Sequence, residues 1–123
     1  MLFKAMNRFL RMHIRFSYCV DYSFISYYED ENDGYIPEWG KVFKELEDFF
    51  PNSKFGIGEC GNIAKDATDD SKIKMIEDYY SMRGYTKNYV GGYFWWHWVQ
   101  DCVPHQNSEV FKAINSSIKQ TLK

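Results

Sequence analysis

The chain has 123 residues and a formal net charge of −2. That length allows one domain at most, or part of one, and the charge gives no overall positive field to gather nucleic acid or anionic lipid. Aromatic residues make up 20% of the chain, more than a small core needs, so some rings are expected to face a groove or a partner.

In chain order, the first segment places Phe3, Met6, Leu10 and Ile14 between Lys4, Arg8, Arg11 and Arg15, a helical stripe over residues 1–18. It has no uninterrupted apolar core and no A-x-A site, so it does not read as a signal peptide, and localisation stays open. "CVDYSFISYY" (19–28) is β-branched and aromatic and reads as a buried strand, with the acidic "EDENDG" (29–34) as the loop after it. Pro37 suits a first helical turn, and Trp39, Val42, Phe43, Leu46, Phe49 and Phe50 recur at helical spacing until Pro51-Asn52.

"KFGIGEC" (54–60) is a short second strand, followed by a polar loop to about Ser71. Asp69, Asp70 or Ser71 can cap a helix with Ile73, Ile76, Tyr79 and Tyr80 on one face, stopped by Gly84. "NYVGGYFWWHWV" (88–99) is a third strand. Ser108 then caps a last helix with Val110, Phe111, Ile114 and Ile118 inward. The order α-β-α-β-α-β-α predicts parallel βαβ units with right-handed crossovers. The chain reads as a single α/β domain over 1–123, with β/α units at 19–50, 54–84 and 88–122. No run reaches membrane-spanning length, so neither a membrane nor nucleic acid is expected as a partner.

Two cofactor readings fail on context. Gly56-x-Gly58-x-x-Gly61 has the spacing of a dinucleotide-binding turn, which needs a full strand before its first glycine and a helix opening at the third. Here the glycines lie inside the strand, no helix signal resumes until about Asp70, and Glu59 would place an anion in the phosphate cradle. The cysteines Cys19, Cys60 and Cys102 form no C-x-x-C pair and predict buried free thiols. His97 and His105, eight residues apart, fit no metal spacing. The "EDENDG" acids lack the spacing and the position-12 glutamate of an EF-hand. No metal and no cofactor is expected.

Strand period places Phe55, Ile57 and Glu59 on one face, with Glu59 last, at the carboxyl edge where parallel α/β folds keep their chemistry. With "FFPNSK" before it and "YVGGYFWWHW" one unit later, "FGIGECG" resembles the last part of a clan A glycoside hydrolase. The resemblance covers about residues 19–120 and is specific as a set. It implies strands six to eight of a (β/α)8 (TIM) barrel, a helix followed by three parallel β/α units, from a retaining enzyme acting on β-linked glycans.

It also assigns residues. Glu59 in "GECG" matches the nucleophile of the family's seventh strand. Ser26 and Tyr28 of "SYY" match the sixth-strand pair whose tyrosine orients that nucleophile. Trp96, or Trp98, matches the eighth-strand sugar platform, with His97 bordering the cleft. The family's acid/base lies in an Asn-Glu pair ending the fourth strand, and this chain contains no Asn-Glu pair. Asp30, Glu31, Asp33, Asp66, Asp69 and Asp101 follow the strands and read as solvated loop acids.

The resemblance therefore implies a chain carrying the nucleophile half of a retaining site, with carbohydrate as substrate and either the missing barrel half or further copies as partner. The alternative is a catalytically inactive carbohydrate-binding or oligomerising remnant, since three parallel strands leave edges open.

Overall fold

The computed structural model describes residues 20–121; the helix predicted over 1–18 lies outside them. Three strands, β1 (Tyr22–Tyr27), β2 (Lys54–Cys60) and β3 (Tyr89–Trp95), form a parallel sheet in the order β1-β2-β3. Four helices are described, α1 (Trp39–Phe49), α2 (Asp69–Tyr80), α3 (Trp98–Cys102) and α4 (Glu109–Thr121). The α/β order read from the sequence is therefore present over the described residues. These fall into two compact units, one holding 20–24, 37–56 and 84–90 and the other 25–36, 57–83 and 91–121. None of the described helices is long and apolar enough to cross a membrane.

In the first unit α1 buries Trp39, Val42, Phe43 and Leu46 on one side and exposes Lys41, Lys44 and Asp48 on the other. The Phe43 ring stacks on Tyr85 at 5.7 Å and meets the edge of Tyr89 at 4.8 Å. Burying a ring of that size is worth about 1.5–3 kcal/mol. The helix closes with the Phe50 N–H donating to the Leu46 carbonyl at 2.8 Å, and Pro51-Asn52 turns the chain into β2. Ser53, fully buried, donates its hydroxyl to the Val20 carbonyl. The next two amides set the central strand between its neighbours. Lys54 N–H donates to Asp21 O at 2.8 Å and Phe55 N–H to Asn88 O at 2.9 Å.

In the second unit the cap of α2 differs from the residues expected. Thr68 is the N-cap: its Oγ1 accepts the Ser71 N–H at 3.2 Å while Ser71 Oγ accepts the Thr68 N–H at 3.0 Å. Each residue satisfies an amide that the helix itself cannot. α2 buries Met75, Ile76, Tyr79 and Tyr80 and packs against α4, which buries Val110 and Ile114. Ser108 caps α4 as expected, its Oγ accepting the Phe111 N–H at 2.9 Å.

β3 is shorter than the sequence suggests and is bent. It ends at Trp95, and Trp98 opens α3. Gly91, Gly92 and Tyr93 all have positive φ, at 89°, 123° and 79°. Glycine takes such values freely, whereas Tyr93 has to be held in place. Its ring stacks on Tyr80 at 5.0 Å, its hydroxyl donates to Met82 O at 3.2 Å, and its carbonyl accepts the Tyr80 hydroxyl at 2.8 Å.

At two glycines the backbone itself fills the space of a side chain. A Cβ on Gly92 would lie 1.8 Å from Ile57 O, and one on Gly61 would lie 1.9 Å from Trp96 O. Gly61→Ala and Gly92→Ala should each cost at least about 3 kcal/mol, in the range reserved for strained or overpacked sites. Gly40→Ala, whose Cβ would meet only Tyr85 Cδ1 at 3.6 Å, should be neutral or stabilising by up to about 1 kcal/mol. Urea unfolding of the three variants checks this; similar midpoints would refute the close-approach account.

Candidate functional site

The residues singled out from the sequence gather at the carboxyl ends of the strands in the second unit. Glu59, the second-last residue of β2, is exposed, whereas Ile57 before it is fully buried. The Tyr28 hydroxyl donates to Glu59 Oε2 at 3.1 Å, and the Glu59 N–H donates to Ser26 Oγ at 3.2 Å. The tyrosine expected beside the acid thus meets its carboxylate, while Ser26, expected as a substrate-binding residue, meets its backbone amide. Among the described residues Glu59 Oε1 has no hydrogen-bond partner. Burial, then the bond to Glu59, pushes the Tyr28 phenol above its usual range, so it remains a proton donor.

Consecutive residues at the end of β1 serve opposite faces. Tyr28 reaches Glu59, while Glu29 lies on the side of α2, near Tyr79. Burial raises the Glu29 carboxyl above its ordinary value, against the lowering influence of the nearby Tyr79 hydroxyl. The turn after β1 is fixed by the Asn32 and Gly34 amides on Glu29 O, at 2.9 and 2.8 Å, and by Asn32 Nδ2 on Tyr28 O at 2.7 Å. Asp30 Oδ2 accepts the Ile63 N–H at 3.1 Å, joining the β1 turn to the loop after β2.

On β3, Trp96 is 42% exposed, and its N–H donates to Cys60 O at 3.0 Å. This bond sets it beside the end of β2. His97 follows through a cis peptide and its ring lies 3.9 Å from the Trp96 ring. Trp98 departs from the strand face expected for it. It sits at the start of α3 in a cluster with His105 and Phe111, each at 5.9 Å, and so does not stand with Phe94 and Trp96. Trp95 is buried and donates its Nε1 to Asp101 Oδ2 at 2.8 Å.

Asp101 therefore departs from the solvated loop acid expected. Its side chain is 6% exposed and also pairs with Lys72 Nζ at 2.5 Å. Nothing in the spacing of Lys72, Trp95 and Asp101 signals this triad. Glu31, Asp33, Asp66 and Asp69 are exposed, as expected of loop acids.

The two described cysteines, Cys60 and Cys102, are buried free thiols. Burial first, and then nearby Glu29, pushes Cys60 up to about 12; burial and then Asp101 push Cys102 up to about 11. Neither is set up as a nucleophile. No group of three or more His, Cys, Asp or Glu side chains suited to a metal ion occurs among the described residues.

Comparison with known protein families, with curated proteins and with solved structures finds no match for this chain.

Glu29 has a measurable signature. Its folded-state value lies above the unfolded one, so its contribution to stability is complete below about pH 4.5 and is lost as pH rises through the folded value. Glu29→Gln keeps the size and polarity of the side chain near Tyr79 and cannot ionise. It should raise Tm relative to the parent at pH 7 and have a smaller effect at pH 4. Thermal melts at the two pH values check the order, and a larger effect at pH 4 would refute it.

Proposed function

We propose that Glu59 is the nucleophile of a retaining glycoside hydrolase acting on β-linked glycans, and that the chain supplies the last three β/α units of a (β/α)8 barrel. The observation that carries the reading is the Tyr28 hydroxyl on Glu59 Oε2 at 3.1 Å, with Oε1 uncommitted among the described residues. A strand-end carboxyl that is exposed, oriented by a tyrosine and flanked by an exposed tryptophan is suited to attack at an anomeric carbon. The sheet faces are also consistent with a barrel. Ser26, Phe94 and Trp96, on the side that would face the barrel axis, are exposed, while Tyr27 and Trp95, on the other side, are buried.

Retention needs a second carboxyl about 5–5.5 Å from the first. With no Asn-Glu pair present and Asp101 committed to Lys72 and Trp95, the acid/base would come from outside these 123 residues. The chain would then hold the half of the site that forms the covalent intermediate. Phe94, 65% exposed, favours a second reading: a carbohydrate-binding or oligomerising remnant whose sheet is covered by another copy or by the missing barrel half.

The two readings separate with a substrate that needs no acid. In a 2-deoxy-2-fluoroglycosyl fluoride, Glu59 Oε1 forms the bond to the anomeric carbon as the C–F bond breaks. Fluoride leaves with its electron pair, and no proton is transferred. Incubation of the full chain with a panel of such β-fluorides should add one fluoroglycosyl mass to the peptide containing Glu59, and Glu59→Gln should abolish it. Failure of the whole panel to label Glu59 would refute the nucleophile and leave the binding-remnant reading.

A further inference from the structure

At the carboxyl ends of β2 and β3, the strands that carry Glu59 and Trp96, the second unit holds a cavity of about 410 Å³, within the size range of small-ligand sites. Its polar lining comes from the loop after β2 and from α2 and α3: Asn62, Lys65, Lys72, His97, Gln100 and Asp101. Most of the acceptors in this wall are already engaged. Asp101 Oδ1 takes Lys72 Nζ and Oδ2 takes Trp95 Nε1, while Asn62 Oδ1 takes the Ala64 N–H at 3.2 Å.

The donors are less committed. A lysine ammonium has three hydrogens; Lys72 uses one on Asp101, and its side chain is only 17% exposed. Lys65, Gln100 and the imidazole of His97 have no hydrogen-bond partner among the described residues. Two lysines against one aspartate give the wall an excess positive charge, in a chain whose net charge is −2. A buried ion pair such as Lys72–Asp101 contributes little net stability, but it holds a cation in the wall of the cavity.

A donor-rich, locally positive cavity matches a ligand rich in acceptors and carrying negative charge. We propose that it receives the carboxylate-bearing ring of an acidic glycan. On the reading of Glu59 as nucleophile, on which this rests, the substrate class is a uronate-containing β-linked oligosaccharide. The carboxylate would meet the lysines and the ring hydroxyls would meet Gln100 and His97.

Binding tests this without chemistry. The full chain, labelled with ¹⁵N, is titrated at low salt with a β-linked disaccharide containing glucuronic acid, with its neutral glucose counterpart, and with inorganic phosphate. The acidic disaccharide should shift the side-chain amides of Asn62 and Gln100 and bind at least ten-fold more tightly than the neutral one. Lys65→Gln, a change at an exposed position, should reduce that preference to three-fold or less with the fold's amide spectrum unchanged. Equal affinities, no binding of either sugar, shifts that map elsewhere, or a preference that survives Lys65→Gln would each overturn the assignment. So would phosphate binding as tightly as the acidic disaccharide, which would mark a general anion pocket. The outcome is separable from that at Glu59. Labelling there with indifferent sugar affinities sinks the cavity alone, and acidic preference without labelling sinks the nucleophile alone.

Discussion

The candidate site depends on how closely two backbones approach. Where Gly92 faces Ile57 O, and again where Gly61 faces Trp96 O, there is no space for even a single methyl carbon. The second approach lies where the Trp96 N–H reaches Cys60 O, so the residues that end the two strands are fixed together. Glu59 immediately precedes the bonded carbonyl and Trp96 carries the bonded amide. Their proximity is thus a property of the main chain and does not rely on side-chain packing. The glycine spacing that suggests a phosphate cradle has this different physical use, at least for its third member.

On that frame the period of two along each strand sorts the chemistry. Tyr28 and Glu29 are neighbours in sequence, yet one bonds Glu59 and the other lies towards α2, near Tyr79. Trp95 and Trp96 divide in the same way, the first buried against Asp101 and the second exposed. At its carboxyl end the sheet therefore has one side committed to helices and a second side that carries Ser26, Phe94 and Trp96 into the open, while Ile57 on the face of Glu59 is buried. Large exposed rings on a sheet face are what an interaction or ligand surface requires.

Much of this was legible in the sequence, and the exceptions have physical causes. The limits of β2 could be read because Pro51-Asn52 and Gly61-Asn62 break any regular ladder on both sides. The end of β3 could not, since "FWWHWV" is apolar and aromatic throughout and hydrophobicity alone does not separate a strand from the turn that follows. The contact of Tyr28 with Glu59 is what the resemblance implies, and parity allows it; the bond of Ser26 to the Glu59 amide is not part of that expectation. The capping of α2 by Thr68 was hidden because Ser71, itself a good cap, serves as the reciprocal partner three residues in. The burial of Asp101 was hidden because its two partners, Lys72 and Trp95, lie on different elements and no local pattern links them. Three consecutive positive φ values at Gly91, Gly92 and Tyr93 likewise follow from the tertiary hold on Tyr93, which composition does not record.

Two acid–tyrosine pairs in one small unit show what separates a reactive carboxyl from a structural one. Glu29 and Tyr79 meet against α2, where burial raises the carboxyl and ionisation works against folding. Such a group contributes most when neutral, and nothing from solution needs to reach it. Glu59 is exposed, and the Tyr28 hydroxyl occupies one of its oxygens while the other has no partner among the described residues. A nucleophile has to be held and reachable together; a carboxyl held by nothing is free to rotate, and one enclosed by the core cannot be approached. Glu59 meets both conditions at a strand end, and its environment is what the proposed displacement at an anomeric carbon requires.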